Sequence, residues 1–376
     1  MSEFIIACGG TGGHLAPGIA LAEQLQARGH SSRLLISEKG IDATITAKYP
    51  QFRFEKIPGA PLIMDPSGFG RFLVQQLRGL WFSLRLIRRT RPDMIVGFGG
   101  FTTAAIILGG RLMRVPVALY EANRVPGRAV RALARFAKRV YVPRAVEMEE
   151  ASQWKLRHVG LPVRSAIKRM PRNLAANVFG LDAERPVVAV LGGSQGAQAL
   201  NRWAEDAASQ LARHGLQMLV VTGPDKGDAA VDTNPGPRGE QIRNSKLPFC
   251  DNMAALYSAS DLVVSRSGAG TLAELVACQV PAILVPYPYA ADDHQAANAQ
   301  EFERLGGGGQ VREENLSSLL PMVEGLMADD SRLALMRVNL RQMGLANNLD
   351  LMMTDMENLA SRHHGKGRSR SEAAHA

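Results

Sequence analysis

The stretch Phe4-Ile-Ile-Ala-Cys-Gly-Gly-Thr-Gly-Gly-His14-Leu-Ala-Pro-Gly18 restricts the fold more than any other part of the chain. A short apolar run breaks into four glycines and then gives way to a helical pattern, which predicts a strand, a tight loop and a helix N-terminus. Lacking Cβ atoms, Gly9, Gly10, Gly12 and Gly13 let a ligand come close to the backbone amides. The amides and dipole of a helix start favour an anionic or oxygen-rich guest. His14 ends the loop with a side chain that accepts a proton near neutral pH. With Gly10 and Gly12 as the first glycines of a G-x-G-x-x-G motif the third falls on Leu15, and no Lys-Ser/Thr pair follows. Dinucleotide binding and ATP hydrolysis therefore both lose ground. The plain alternative is a structural glycine turn with a satisfied histidine.

The same device returns at Pro186-Val-Val-Ala-Val-Leu-Gly-Gly-Ser-Gln-Gly-Ala197. Two copies, with strands and helices alternating between them, predict an α/β protein of two Rossmann-like parallel-sheet domains facing a cleft. A length of 376 residues accommodates two cores. No run of eighteen uncharged apolar residues occurs, so no transmembrane helix is expected, and a chain opening on a core strand predicts no signal peptide. Cys8, Cys250 and Cys278 are odd in number and far apart, which predicts reduced cytosolic thiols. Ile19 to Arg28 reads as a helix, Ser32 to Ser37 as a strand and residues 56–68 as a loop.

Charge is uneven. Residues 1–160 hold 23 Lys and Arg against 11 Asp and Glu, and the remainder 21 against 24. A net +12 followed by a net −3 points the N-terminal half at a polyanion. On a wheel of 100° per residue, Leu73, Leu77, Leu80, Leu84 and Ile87 fall within about 80° and predict the core stripe of a helix. Arg71, Arg78, Arg85 and Arg89 gather opposite, with Phe82 among them, after Leu62-Ile-Met64 and Phe69. A face of one sign with an exposed aromatic suits an anionic membrane surface. A nucleic-acid partner is not expected, because no aromatic-rich binding sheet or helix-turn-helix pattern accompanies the charge.

In an open parallel sheet the loops at the carboxyl ends of strands line the ligand crevice. Such positions are predicted for Gly99-Gly100, for Glu121 and Asn123, and for Arg164 after the stiff crossing at Pro162. In the second half, residues 226–244 read as a loop, Phe249-Cys250 as a strand end and Ala254 to Ser260 as a short helix. Ser265-Arg-Ser-Gly-Ala-Gly-Thr271 is a turn whose amides open a helix and suit a diphosphate. Glu274, on the first turn of that helix, suits the two hydroxyls of a ribose, although Thr-x-x-Glu is also a plain helix cap. Gln295 and Asn298, one helical turn apart, could read sugar hydroxyls through their amides. Asp292, Asp293 and His294 are adjacent and do not converge on a metal. From Ser361 the tail is basic and polar and predicts mobility.

Taken together, Gly9-Gly-Thr-Gly-Gly-His14, Gly192-Gly-Ser-Gln-Gly-Ala197, Ser265 to Thr271 with Glu274, and Asp293-His-Gln-x-x-Asn298 resemble the MurG family, GT-B glycosyltransferases of family 28. The resemblance covers about residues 4–350. It implies an N-terminal acceptor-binding and membrane-associating domain over 1–162 and a C-terminal UDP-GlcNAc-binding domain over 163–345. A helix over 346–361 returns to the first domain, and 362–376 form a mobile tail. The implied reaction is inverting transfer of GlcNAc from UDP-GlcNAc to the C4 hydroxyl of MurNAc in lipid I. It gives lipid II for peptidoglycan at the cytoplasmic face of the bacterial inner membrane, without a cofactor or metal. Thr11, Gly12, Gly13, Asn123, Arg164, Ser194, Ala269, Gly270, Thr271, Leu272, Ala273, Glu274 and Gln295 match donor-binding positions. Cys250 matches one that meets the uracil edge through its backbone.

A sugar hydroxyl is a poor nucleophile, so the chemistry asks for a base; His14 is the first candidate and Glu121 the second. The chain departs from the family pattern at Tyr120-Glu-Ala-Asn123 for His-Glu-Gln-Asn, Gly160-Leu-Pro-Val-Arg164 for Gly-Asn-Pro-Val-Arg, and Gly99-Gly-Phe101 for Gly-Gly-Tyr. The rival reading is another UDP-sugar GT-B enzyme, an epimerase or a transferase with a different acceptor.

Overall fold

A strand buried on both faces must be apolar throughout, and Phe4-Ile-Ile-Ala is. In the computed structural model of the chain it forms β1 (Glu3–Ala7), third in a seven-stranded sheet. The structure describes residues 1–9, 12–37, 46–58, 66–100, 102–193, 195–224 and 226–373. Side chains of residues 12, 66–69, 71 and 364–373 are outside the description. The chain divides into two units, residues 1–164 with 347–376, and residues 165–346.

In the first unit β1 is joined by β2 (Ser31–Ile36), β3 (Arg53–Lys56), β4 (Met94–Gly97), β5 (Val117–Tyr120), β6 (Arg139–Val142) and β7 (Leu156–His158). All pairings are parallel, in the order β3-β2-β1-β4-β5-β6-β7. Side chains alternate across the sheet. Ile5 and Ala7 pack with Leu86 and Ile87 of α2 (Pro66–Thr90) and Ile106 of α3 (Thr103–Leu112). Phe4 and Ile6 pack with Leu15, Ile19 and Leu25 of α1 (Gly12–Ala27). The same face receives Met352, Met353 and Met356 of the C-terminal helix (Leu349–Ala373). Each fully buried Met contributes about 1.5–3 kcal/mol, and the polar rim adds register: Arg139 Nε and the Tyr141 hydroxyl both donate to Asp355, at 3.0 Å.

Three expectations are corrected in this unit. Helix α1 starts at Gly12 rather than Ile19, so His14 is in its first turn. The C-terminal helix runs on to Ala373, beyond its expected end at residue 361. Helix α2 is rolled by about a quarter turn from the leucine stripe. Its core face is Gly79, Ser83, Leu86 and Ile87, while Leu73 and Leu77 are exposed and Phe82 is half-buried against the core. The cause is close helix packing. A methyl group added at Gly79 would come within 3.1 Å of the Ala105 Cβ, and one at Gly109 within 3.2 Å of the Ser83 Cβ. Small residues, Gly79 and Ser83, therefore face α3 at the closest approach. Arg89, still exposed, pairs with Glu55 at 2.9 Å.

The second unit repeats the plan with β8 (Val187–Leu191), β9 (Gln217–Val221), β10 (Ala230–Pro235), β11 (Gln241–Leu247), β12 (Leu262–Ser265), β13 (Ala282–Leu284) and β14 (Gly308–Gln310). Their order is β10-β11-β9-β8-β12-β13-β14. Around them lie α4 (Arg128–Leu133) in the first unit and, in the second, α5 (Arg172–Val178), α6 (Gln198–Arg213), α7 (Met253–Ala259), α8 (Ala269–Cys278), α9 (His294–Arg304), α10 (Leu319–Met327) and α11 (Asp330–Leu345). Among the described strands only β10 is antiparallel, pairing with β11. This hairpin replaces the expected loop over 226–244: the turn chemistry of Pro235-Gly-Pro-Arg-Gly239 closes it, although its edge strand is almost wholly exposed.

Candidate functional site

Both sheets reverse strand order beside their first strand, between β1 and β4 and between β8 and β12. Ligands of open parallel sheets bind outside the carboxyl ends of the strands at such a switch point. In both units the glycine-rich loops lie there.

In the first unit the loop after β1 leads into α1, whose first turn carries His14. The loop after β4 turns through Gly99 and Gly100, with φ of +90° and +78°, a region that favours glycine. A methyl group added at Gly100 would lie 3.2 Å from Gly9 O and 3.5 Å from His14 Nδ1; one at Gly99 would lie 3.8 Å from His14 Nε2. The imidazole is thus seated on a bare stretch of backbone. The Thr102 hydroxyl donates to Gly9 O at 2.9 Å and ties the two loops together. Gly12 and Gly13 form the helix start beside His14, whereas Gly10, Thr11 and Phe101 lie outside the described residues.

The next loop follows β5. Glu121 is 4% exposed, and its carboxylate is engaged on both oxygens. Oε1 accepts from Asn123 N at 2.8 Å and Asn123 Nδ2 at 3.1 Å; Oε2 accepts from Gly127 N, the residue before α4, at 2.7 Å. Burial raises its pKa, against the lowering effect of these donors. Here the carboxylate shapes the loop and holds the Asn123 side chain. Arg164 is half-buried at the end of the unit's first segment.

In the second unit, Gly268 precedes α8 in extended conformation, and a methyl group at Gly268 or Gly270 would meet no described atom within 4 Å. The first turn of α8 is therefore open to a guest at its amides, with Ala269, Gly270, Thr271, Leu272 and Ala273 in sequence. Glu274 is in the second turn, not the first, because α8 begins only at Ala269. Asn298 is 3% exposed, and its side chain donates to Ser267 O at 3.0 Å. It braces the turn from beneath. Gln295 braces a second loop, its Oε1 accepting from Tyr287 N at 3.0 Å. Cys250 is buried in the loop between β11 and α7; Ser194 lies outside the described residues. Among the described residues, no group of three or more His, Cys, Asp or Glu is arranged to hold a metal ion.

Residues 4–142 match the glycosyltransferase family 28 N-terminal domain and residues 187–352 the glycosyltransferase family 28 C-terminal domain. The chain belongs to glycosyltransferase family 28. It is 49% identical, over 98% of its length and 97% of the relative, to an Opitutus terrae protein named UDP-N-acetylglucosamine--N-acetylmuramyl-(pentapeptide) pyrophosphoryl-undecaprenol N-acetylglucosamine transferase. A Desulforudis audaxviator protein of the same name is 34% identical over 96% of the chain and 99% of the relative. Among solved structures, MurG of Acinetobacter baumannii superposes with a TM-score of 0.70 at 25% identity, covering 95% of this chain and all of that one.

Two of the departures from the family 28 pattern prove to be neighbours. Tyr120 and Leu161 belong to one apolar cluster, and the buried Tyr120 hydroxyl donates to Gly160 O at 2.6 Å. Burial, then the nearby Glu121, raises the phenol pKa well above its ordinary value, so it stays a donor. Sequence reasoning missed Thr102, Tyr120 and Tyr257 as supports of the site. Only a Thr-Thr pair after Gly-Gly, and tyrosines in otherwise aliphatic runs, could have hinted at them.

Proposed function

We infer that the chain transfers N-acetylglucosamine from UDP-N-acetylglucosamine to the C4 hydroxyl of the N-acetylmuramyl unit of an undecaprenyl-diphosphate-linked muramyl-pentapeptide, with inversion. The observation that carries this reading is a match along nearly the whole chain to a relative named for that transfer, with one family domain on each unit. In the reaction the acceptor O4 bonds to the sugar's anomeric carbon, the bond from that carbon to the UDP oxygen breaks, and the hydroxyl proton passes to a base.

His14 is the base in this reading: it is half-buried on bare backbone at the first unit's switch point, where an incoming hydroxyl can reach it. Glu121 supports it by holding Asn123 and the start of α4. The open first turn of α8 meets the charge that develops on UDP, without a metal. Glu274 takes the ribose hydroxyls, and the backbone at Cys250 the uracil edge. The test is kcat with a lipid I analogue in EDTA. His14→Ala is expected to lose about 10²–10⁴-fold and Glu121→Ala much less; the reverse order overturns the assignment. Transfer to an unrelated acceptor at a similar rate would favour the rival GT-B reading.

The membrane contact is re-sited by the roll of α2. Leu73, Val74, Leu77 and Trp81 are exposed, Trp81 at 65%, with Arg78, Arg85 and Arg88 between them. At 100° per residue these seven span about 140°. The Arg85 guanidinium lies 5.6 Å from the centre of the Trp81 ring. An apolar stripe edged by cations suits the anionic cytoplasmic leaflet, where the lipid-linked acceptor is held. Leu77→Glu with Trp81→Glu should abolish sedimentation with phosphatidylglycerol vesicles; unchanged binding would refute this face.

A further inference from the structure

We propose that Tyr257 is a positioning residue for the carboxylate that reads the ribose, and that it links this recognition to the loop that meets the base. The proposal rests on the reading of Glu274 given above. Tyr257 lies on α7, is 1% exposed, and donates its hydroxyl to Glu274 Oε2 at 3.0 Å. Helix α7 begins directly after the Phe249–Asp251 loop that carries Cys250, and it is capped there by Asn252, whose side chain accepts from Ala255 N at 2.9 Å. One rigid helix thus runs from the base-reading loop to the ribose-reading carboxylate.

The geometry decides how the carboxylate can act. An ionised carboxylate offers about four acceptor directions on two oxygens. A buried phenol directed at Oε2 fixes the side-chain rotamer and orients the remaining directions of both oxygens. A diol that donates two hydrogen bonds in one plane profits from a carboxylate already held in that plane. One helical turn further on, Cys278 is fully buried.

The phenol itself has no role in the transfer step, so its loss should act on nucleotide binding. Tyr257→Phe keeps the ring in the core and removes only the donor. It is expected to raise KM for UDP-N-acetylglucosamine about five- to tenfold and leave kcat within about twofold. The decisive measurement is the ratio of Kd values for 2′,3′-dideoxy-UDP and UDP by calorimetry, which reads only the folded fraction. Glu274→Ala should collapse that ratio towards one, Tyr257→Phe should lower it several-fold, and the double variant should match Glu274→Ala alone. If Tyr257→Phe weakens both nucleotides equally, or neither, while Glu274→Ala collapses the ratio, the positioning role is overturned and the ribose reading stands. If Glu274→Ala leaves the ratio unchanged, the ribose reading falls, and the role of Tyr257 with it.

Discussion

Glu121→Gln separates a loop-shaping carboxylate from a catalytic one. Three N–H donors converge on Glu121, from Asn123 N, Asn123 Nδ2 and Gly127 N, at 2.8, 3.1 and 2.7 Å. Gln replaces one acceptor oxygen by an NH₂, so at least one of these buried donors meets another donor. An unsatisfied buried donor costs about 1–3 kcal/mol; relief from burying a charge offsets part of this. A net local loss of about 1–2 kcal/mol corresponds to roughly 5- to 30-fold faster opening. Hydrogen exchange over residues 121–133 should show it at Asn123 and Gly127. The pH dependence adds a second reading. The folded pKa of Glu121 lies above its ordinary 4.5 because of burial, so the protonated form favours the folded unit. That contribution is whole below 4.5 and is lost as pH rises through the folded pKa; Glu121→Gln should remove this slope. Unchanged exchange, or a kcat fall above about 100-fold with loss of the pH limb of a base, would refute the reasoning.

Other outcomes follow from the same geometry. Burial pushes the Cys278 thiol up to about 12, so native protein should leave Cys278 unmodified by iodoacetamide at pH 8, and rapid labelling would contradict its placement. Gly100→Ala must hold a φ near +78° at a cost of about 1–2 kcal/mol with its methyl against the His14 ring. Activity should fall at least tenfold while UDP affinity measured by calorimetry changes less than twofold. Met356→Ala should destabilise the first unit by about 2–5 kcal/mol, and Asp355→Ala by about 1–3 kcal/mol. Limited proteolysis that releases the C-terminal helix earlier in both variants would report it.

The two-unit plan was legible because glycine loops and buried strands are local signals: Phe4 to Ala7 and Val187 to Leu191 have few alternatives. What was not legible was set by tertiary packing. The leucines of α2 mark a good amphipathic period, yet its roll is decided by Gly79 and Ser83 meeting Ala105 and Gly109, residues distant in sequence. Asn298 has the spacing of a sugar reader, and only the position of Ser267 O, on another element, shows that it braces a turn. The β10–β11 hairpin has an edge strand, Ala230–Pro235, that buries no face, so its sequence carries no hydrophobic alternation to reveal it.

Two of the three pattern departures, Tyr120 and Leu161, make sense as one exchange. The Tyr120 hydroxyl reaches Gly160 O, and the Asn347 side chain donates to Leu161 O at 3.3 Å. A methyl group at Gly160 would fall 1.8 Å from Asn347 Oδ1, so the Asn347 side chain packs directly over this glycine and would have to shift to admit one. Leu161 meanwhile joins the apolar cluster that holds Tyr120. The segments where the chain leaves the first unit, after Arg164, and returns to it, at Asn347, are thereby fastened to the strand that delivers Glu121 and Asn123. A phenol that bonds a backbone carbonyl needs no polar partner on residue 161, which leaves that position available to an apolar side chain. Glu121, Asn123 and Arg164 then keep their places while Tyr120 and Leu161 behind them change together.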